Sequence, residues 1–156
     1  MPMLIESDRV CVDTNILIYS TFSDFDEQKH HDSLDVLTAL ISSENKLYVS
    51  NQILREFFAI ATNDRIFNKP LSPMDASKKI IEFYSNFSLI YELDSTMEIL
   101  VHLISKYEIT KQKIHDFNIM AVMLDNQINH ILTYNVKDFT GIEGINVLDF
   151  DLILGR

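Results

Sequence analysis

A chain of 156 residues, 47% of them hydrophobic and ten of them Phe, is of single-domain size and carries enough apolar surface to exclude a disordered polypeptide. Its net charge of −10 argues against a protein that coats nucleic acid through a cationic surface; its 23 acids either solvate the surface or, in a few cases, converge on a cation. No apolar run approaches the ~18 residues of a membrane span, no basic-then-apolar leader opens the chain, and the single cysteine, Cys11, forms no internal disulfide, so a cytoplasmic protein without a membrane partner is expected.

Repeats, low-complexity segments and Gly/Ser-rich linkers are lacking, which predicts one domain over residues 1–156. Arg9–Val12 reads as a strand that ends in Asp13-Thr14-Asn15, whose polar side chains can start a helix through Ile16, Leu17 and Ile18. From about residue 27 to 43, Leu34, Leu37, Ala39, Leu40 and Ile41 recur at mostly helical spacing. Residues 46–49 form a second strand, and Ser50 or Asn51 caps a helix carrying Ile53, Leu54, Phe57 and Phe58. Residues 68–73 are the clearest loop; Ser72-Pro73 is an N-cap with proline at the first helical position, and a helix to about Phe87 follows. Residues 88–91 are a third strand, and Asp94 is expected to cap a helix ending near Tyr107. A connector at 111–113 leads to a helix over about 114–127, then to strands at 130–133 and 146–148. This alternation predicts an α/β fold with a mainly parallel sheet of four or five strands and helices on both faces. Such sheets carry their sites beyond the carboxyl ends of the strands.

Four acids fall near those ends. Asp13 directly follows the first strand, Glu56 lies in the helix after the second, Asp116 opens the helix before the fourth, and Asp138 follows the fourth by a few residues. Together they can enclose one acidic pocket. Clustered carboxylates raise one another's pKa unless a cation lies between them. Oxygen ligands without Cys or His favour hard cations such as Mg²⁺ or Mn²⁺, which activate water for phosphodiester cleavage.

On these residues the chain resembles the PIN-domain family, and within it the toxin ribonucleases of the VapC type. The matching pieces are Val12-Asp13-Thr14-Asn15, Ser50 with Glu56 downstream, Asp116-Phe117-Asn118-Ile119-Met120-Ala121, and Thr133-Tyr134-Asn135-Val136-Lys137-Asp138-Phe139. The resemblance implies a three-layer α/β/α sandwich and RNA cleavage dependent on Mg²⁺ or Mn²⁺. It implies metal-holding roles for Asp13, Glu56 and Asp116, a small antitoxin as partner, and a homodimer. Two positions depart from the pattern. Many members carry a fourth acid where this chain has Asn135, so that either Asp138 supplies the carboxylate from the next turn or the site has three acids and an amide. Phe117 stands where Ala is frequent; its ring either narrows the groove or packs inward.

Plainer roles exist for each residue. Asp13 alone is as good a helix cap as a ligand, and Thr14 and Asn15 either orient the carboxylates or merely start a helix. Glu56 can pair with Arg55 on the surface, and Asp116 can complement its helix dipole. Ser50 and Thr133 either support the acids by hydrogen bonding or serve as cap and turn residues. Lys106, Lys111, Lys113 and His115 form a basic stretch that can track phosphates or simply be solvated. His30-His31 lacks the third ligand of a metal site, and Phe22 and Phe25, flanking Asp24 in a loop, either cover the core, which is the expectation, or lie at a partner surface. A non-catalytic module that binds RNA or protein is the alternative, motivated by Asn135. A phosphoacceptor domain of the receiver type fits poorly, because Lys137 follows Thr133 too closely for an intervening helix and strand.

Overall fold

The computed structural model describes residues 8–156. Five strands alternate with eight helices among these residues: β1 (Arg9–Val12), α1 (Thr14–Thr21), α2 (Glu27–Ser42), β2 (Lys46–Ser50), α3 (Asn51–Ala61), α4 (Pro73–Asn86), β3 (Ser88–Ile90), α5 (Thr96–Tyr107), α6 (Lys113–Asp125), β4 (His130–Leu132), α7 (Val136–Phe139), β5 (Asn146–Val147) and α8 (Phe150–Leu154). The strands form one sheet in the order β3-β2-β1-β4-β5, and every pairing is parallel. The expected α/β class and parallel sheet are therefore what the chain forms.

Strand composition explains the placement. Val10, Cys11 and Val12 of β1 and Ile131 and Leu132 of β4 are fully buried, which gives the unbroken apolar runs of parallel strands covered on both faces. The direction in which strands are added reverses around β1. The connections to β2 and β3 run one way from it, and those to β4 and β5 run the other. Right-handed crossovers then lay α1–α4 on one face and α5–α7 on the opposite face. The contacts agree, since α1 packs on α2 and α3, α3 on α4, and α5 on α6. Such a reversal opens a crevice at the carboxyl ends of β1 and β4. Among the described residues no helix is long and apolar enough to cross a membrane.

Several helix ends follow the sequence. Ser50 Oγ accepts from Ile53 N at 3.2 Å, and Ser72 Oγ accepts from Asp75 N at 3.1 Å with Pro73 beginning the helix. Ser72→Ala is expected to lower stability by about 1 kcal/mol, read as a shifted denaturant midpoint with an unchanged slope.

Asp94 is not the cap of α5. Ser95 holds that position without a side-chain cap bond. Thr96 Oγ1 instead accepts from Leu93 N at 2.9 Å and donates to Asp125 Oδ2 at 2.6 Å, with Ser95 Oγ donating to the same carboxylate. Asp125, distant in sequence, thus anchors the start of α5. Helix α6 ends at Asp125, short of Gln127, because Gln127 takes a left-handed conformation with φ 58°. Helices α7 and α8, of four and five residues, are additions to the expected pattern. Phe117 packs inward and is 5% exposed, which resolves the choice its large ring left open.

Candidate active site

Asp13 stands where β1 ends and α1 begins, and its backbone N–H donates to Leu132 O at 3.0 Å, joining the end of β1 to β4. Asp13 is buried, at 5% exposure. Oδ1 accepts from Thr14 N at 2.8 Å, and Oδ2 accepts from Thr133 Oγ1 at 2.7 Å and Asn15 Nδ2 at 3.2 Å. Burial pushes the Asp13 carboxyl above the ordinary aspartate range, and the Glu56 charge adds to that; the three donors pull it back.

Thr133 is the junction of the site. Its Oγ1 donates to Asp13 and accepts from Asn15 Nδ2 and from Asn135 N, each at 3.0 Å. Asn15 Oδ1 in turn accepts from Tyr134 N at 3.0 Å. Thr133→Val keeps the shape and removes all three bonds. The expected result is a loss of about 1–3 kcal/mol of stability and a fall of about 10–100-fold in cation affinity, measured by thermal melts with and without Mn²⁺.

Glu56 is held from both sides. Thr14 Oγ1 donates to Oε2 at 3.0 Å, and Gln52 Nε2 donates to Oε1 at 2.9 Å. Gln52 also donates to His115 O at 2.9 Å, and its Oε1 accepts from Asn118 Nδ2 at 2.7 Å. Asn118 Nδ2 reaches Glu92 Oε1 as well. Sequence reasoning missed Gln52, Asn118 and Glu92 as parts of the site. The one signal present was Gln52, one helical turn before Glu56 and so on the same face of α3.

Asp116 lies in the first turn of α6 and is half-buried. Its pKa is pushed up to about 6, first by burial and then by the charges of Asp13, Asp138 and Glu56, against a small opposing effect of His115. Three carboxylates thus act on a fourth. Asp13, Thr14, Asn15, Glu56, Asp116 and Asn135 line one cavity of about 260 Å³ at the reversal of strand order. The fourth position is divided. Asn135 lines the cavity, whereas Asp138, exposed in the first turn of α7, is not in its wall and acts on Asp116 only through its charge.

The structure separates the remaining candidates from this cavity. Ser50 is used in capping α3. Lys106 is paired with Glu143, which removes it from a phosphate-tracking role, while Lys111 and Lys113 are exposed. His30 Nδ1 bonds to Tyr19 O at 2.8 Å, and His31 approaches Glu27. A larger groove of about 660 Å³ between α3 and α4 is walled by Leu54, Phe58, Ile80, Tyr84 and Leu89. It lacks carboxylates, so the acid chemistry belongs to the smaller cavity.

The donor set fits a hard divalent cation in kind: carboxylate and amide oxygens, with no sulfur or imidazole. Among the described residues no three His, Cys, Asp or Glu side chains are already grouped to hold one ion. Asp13 and Glu56 are instead tied to Thr133, Thr14 and Gln52. Burial raises the Asp13 and Asp116 carboxyls first, and the neighbouring carboxylates add to it, a combination that a bound cation would relieve.

A parallel α/β sandwich with acids gathered at its switch point defines the class. The PIN domain family profile matches residues 10–143, and the chain belongs to that family. Ribonuclease VapC43 of Mycobacterium tuberculosis is 36% identical over 67 residues, 43% of this chain and 44% of that protein; the match therefore spans less than half the length of this curated relative. Two solved structures share the fold. VapBC2 from Rickettsia felis, bound to a DNA fragment from its promoter, aligns with a TM-score of 0.66 at 17% identity, covering 90% of this chain and 97% of that one. VapBC-1 from nontypeable Haemophilus influenzae aligns with a TM-score of 0.65 at 17% identity, covering 91% and 98%. The three-layer α/β/α architecture is thus common to all three.

Proposed function

We propose that this protein is a cytoplasmic endoribonuclease dependent on Mg²⁺ or Mn²⁺, and the toxin of a toxin–antitoxin pair. The observation that carries this reading is the convergence of Asp13, Glu56 and Asp116 on one cavity with the Asp116 carboxyl raised to about 6. Family membership and the naming of VapC43 as a ribonuclease support it. Asp13, Glu56 and Asp116 would hold the cation, with Asn135 in the wall and Asp138 contributing long-range charge. When bound, the cation supplies charge neutralisation at phosphoryl oxygens and acidification of water. The protein's own contribution is orientation: the Thr14 and Thr133 hydroxyls each donate to one carboxylate, and Asn15 braces the Asp13–Thr133 contact.

A small antitoxin as partner is proposed because the solved neighbours are VapBC assemblies, and a homodimer is proposed with it. The test is cleavage of single-stranded RNA by the purified chain in Mn²⁺ or Mg²⁺. Cutting that stops on chelation and returns on adding the cation is expected; cutting that persists in EDTA overturns the cation-dependent reading.

A second reading, a non-catalytic module, is favoured by Asn135 and by the lack of a preformed three-ligand group among the described residues. Mn²⁺ titration distinguishes it: binding at millimolar concentration supports the nuclease, and its absence supports the module.

A further inference from the structure

An acidic cavity in a chain of net charge −10 repels a polyanionic substrate until cations beside it compensate. The basic stretch before Asp116 is a poor source, since Lys106 is held by Glu143. Lys29, in the first turn of α2, is differently arranged. Its Nζ stands 4.9 Å from the ring centre of Tyr19 and 5.2 Å from that of Tyr134. Among the described residues it forms no ion pair: the Asp26 side chain accepts from Lys29 backbone N–H, and Lys29 O accepts from Tyr134 Oη. The ammonium is thus fixed over two rings and uncompensated by a carboxylate.

Those rings belong to a continuous aromatic series. Phe22 stacks on Phe67 at 3.9 Å, Phe67 meets Phe25 edge-on at 4.8 Å, Phe25 meets Tyr19 at 5.7 Å, and Tyr19 meets Tyr134 at 5.1 Å. Phe22 and Phe67 are packed against the core as expected of Phe22, but Phe25 does not cover it and is 45% exposed. Tyr19 and Phe25 also line the acidic cavity, together with Asp116 and Glu56. Phe25, an exposed ring of the cavity wall, and the Lys29 ammonium thus both contact Tyr19, which is part of that wall.

We infer that Phe25, Tyr19 and Lys29 form a subsite for one nucleotide of single-stranded RNA flanking the cut, with its base stacked on Phe25 and its backbone phosphate on Lys29. This rests on the ribonuclease reading above and adds to it the residues that seat the strand. An RNA strand is the occupant that uses both features, because every base has a face to stack and every nucleotide a phosphate. The aromatic series also explains how Phe25 holds its ring exposed: Phe67 and Tyr19 fix its edges, so little freedom is lost when a base docks.

The test is cleavage kinetics of the full chain in Mn²⁺ on a short single-stranded RNA, compared with the same RNA carrying one abasic residue beside the cut. Phe25→Ala is expected to raise KM about 5–100-fold on the intact RNA, with kcat little changed, and to have no further effect on the abasic RNA. Phe25→Trp is expected to retain wild-type KM. Lys29→Gln is expected to raise KM on both RNAs and to reduce the salt slope by about one. Unchanged thermal melts separate these effects from misfolding, and a Phe25→Trp variant that loses KM despite an unchanged melt counts against the subsite. If wild type cuts the RNA and Phe25→Ala and Lys29→Gln leave KM unaltered, the subsite is overturned while the nuclease reading stands. If wild type neither binds nor cuts RNA in Mn²⁺, both fall. If the variants lose affinity for a protein partner and not for RNA, the surface is a protein-docking site and the inference is overturned.

Discussion

Asp13→Asn is expected to abolish cation-dependent RNA cleavage while leaving a folded protein. The substitution keeps the side chain's shape and its acceptor for Thr14 N, now 2.8 Å away. It replaces Oδ2 by an amide facing Thr133 Oγ1, which already accepts from Asn15 and Asn135. That mismatch is destabilising, but the removal of a buried charge with a raised pKa is stabilising, and the two effects oppose. A melting shift of a few degrees at most follows, since about 1 kcal/mol moves a domain of this size by roughly 2–4 °C. Activity should fall by more than the about 100-fold typical of losing an outer partner, because a direct cation ligand is removed. Cleavage of single-stranded RNA in Mn²⁺, beside matched melts of both proteins, checks this. A variant that cuts as fast as wild type would sink the mechanism.

Asp116→Asn gives the second large effect, and its sign depends on pH. In the cation-free protein the Asp116 carboxyl titrates near 6, against an ordinary value of 3.8. The folded state therefore holds a proton that the unfolded state releases between those values, and its stability falls as pH rises through that window. Below about pH 3.8 the group has no destabilising effect, and above about 6 the effect is complete. Asp116→Asn removes it, so the cation-free variant should be more stable than wild type at pH 7.5 and indistinguishable near pH 3.8. Half-exposure screens the interaction, which reduces the gain to about 1 kcal/mol. Mn²⁺ reverses the order: it competes with the proton, stabilises wild type more at pH 7.5 than at pH 5, and has little effect on the variant. Cleavage should fall beyond 100-fold, as for Asp13. Melts in EDTA and in millimolar Mn²⁺ at both pH values decide it, and equal Mn²⁺ stabilisation of the two proteins is the contrary result.

Much of this was legible in the sequence because it is local. The unbroken apolar run of β1, the Ser50 and Ser72 caps and the proline after Ser72 each depend on neighbours within a few positions. Asp94 misled because the cap rule weighs nearby side chains, whereas the start of α5 is organised by Asp125 across about thirty positions. Helices α7 and α8 are too short to display a period. Of the candidate site, the acids at strand ends could be found from spacing and family resemblance. The Gln52–Asn118–Glu92 bonds, which link α3 to α6 and to the loop after β3, could not, since they span 26 and 66 positions. Nor could the choice between Asn135 and Asp138, because a single turn of helix decides which side chain meets the cavity.

The backbone bond from Asp13 N to Leu132 O has a kinetic consequence. It closes the last rung between β1 and β4, the central pair of a sheet whose core strands open only when the whole molecule does. The Asp13 amide is therefore expected among the slowest-exchanging hydrogens of the protein, and the amides of α7, a helix of four residues with three exposed side chains, among the faster ones. Amide exchange should thus be much slower on the Asp13 side of the acidic cavity than on the α7 side. Asp13 is presented by a central strand of the sheet, whereas Asn135 and Asp138 lie at a single short turn anchored by the buried Phe139.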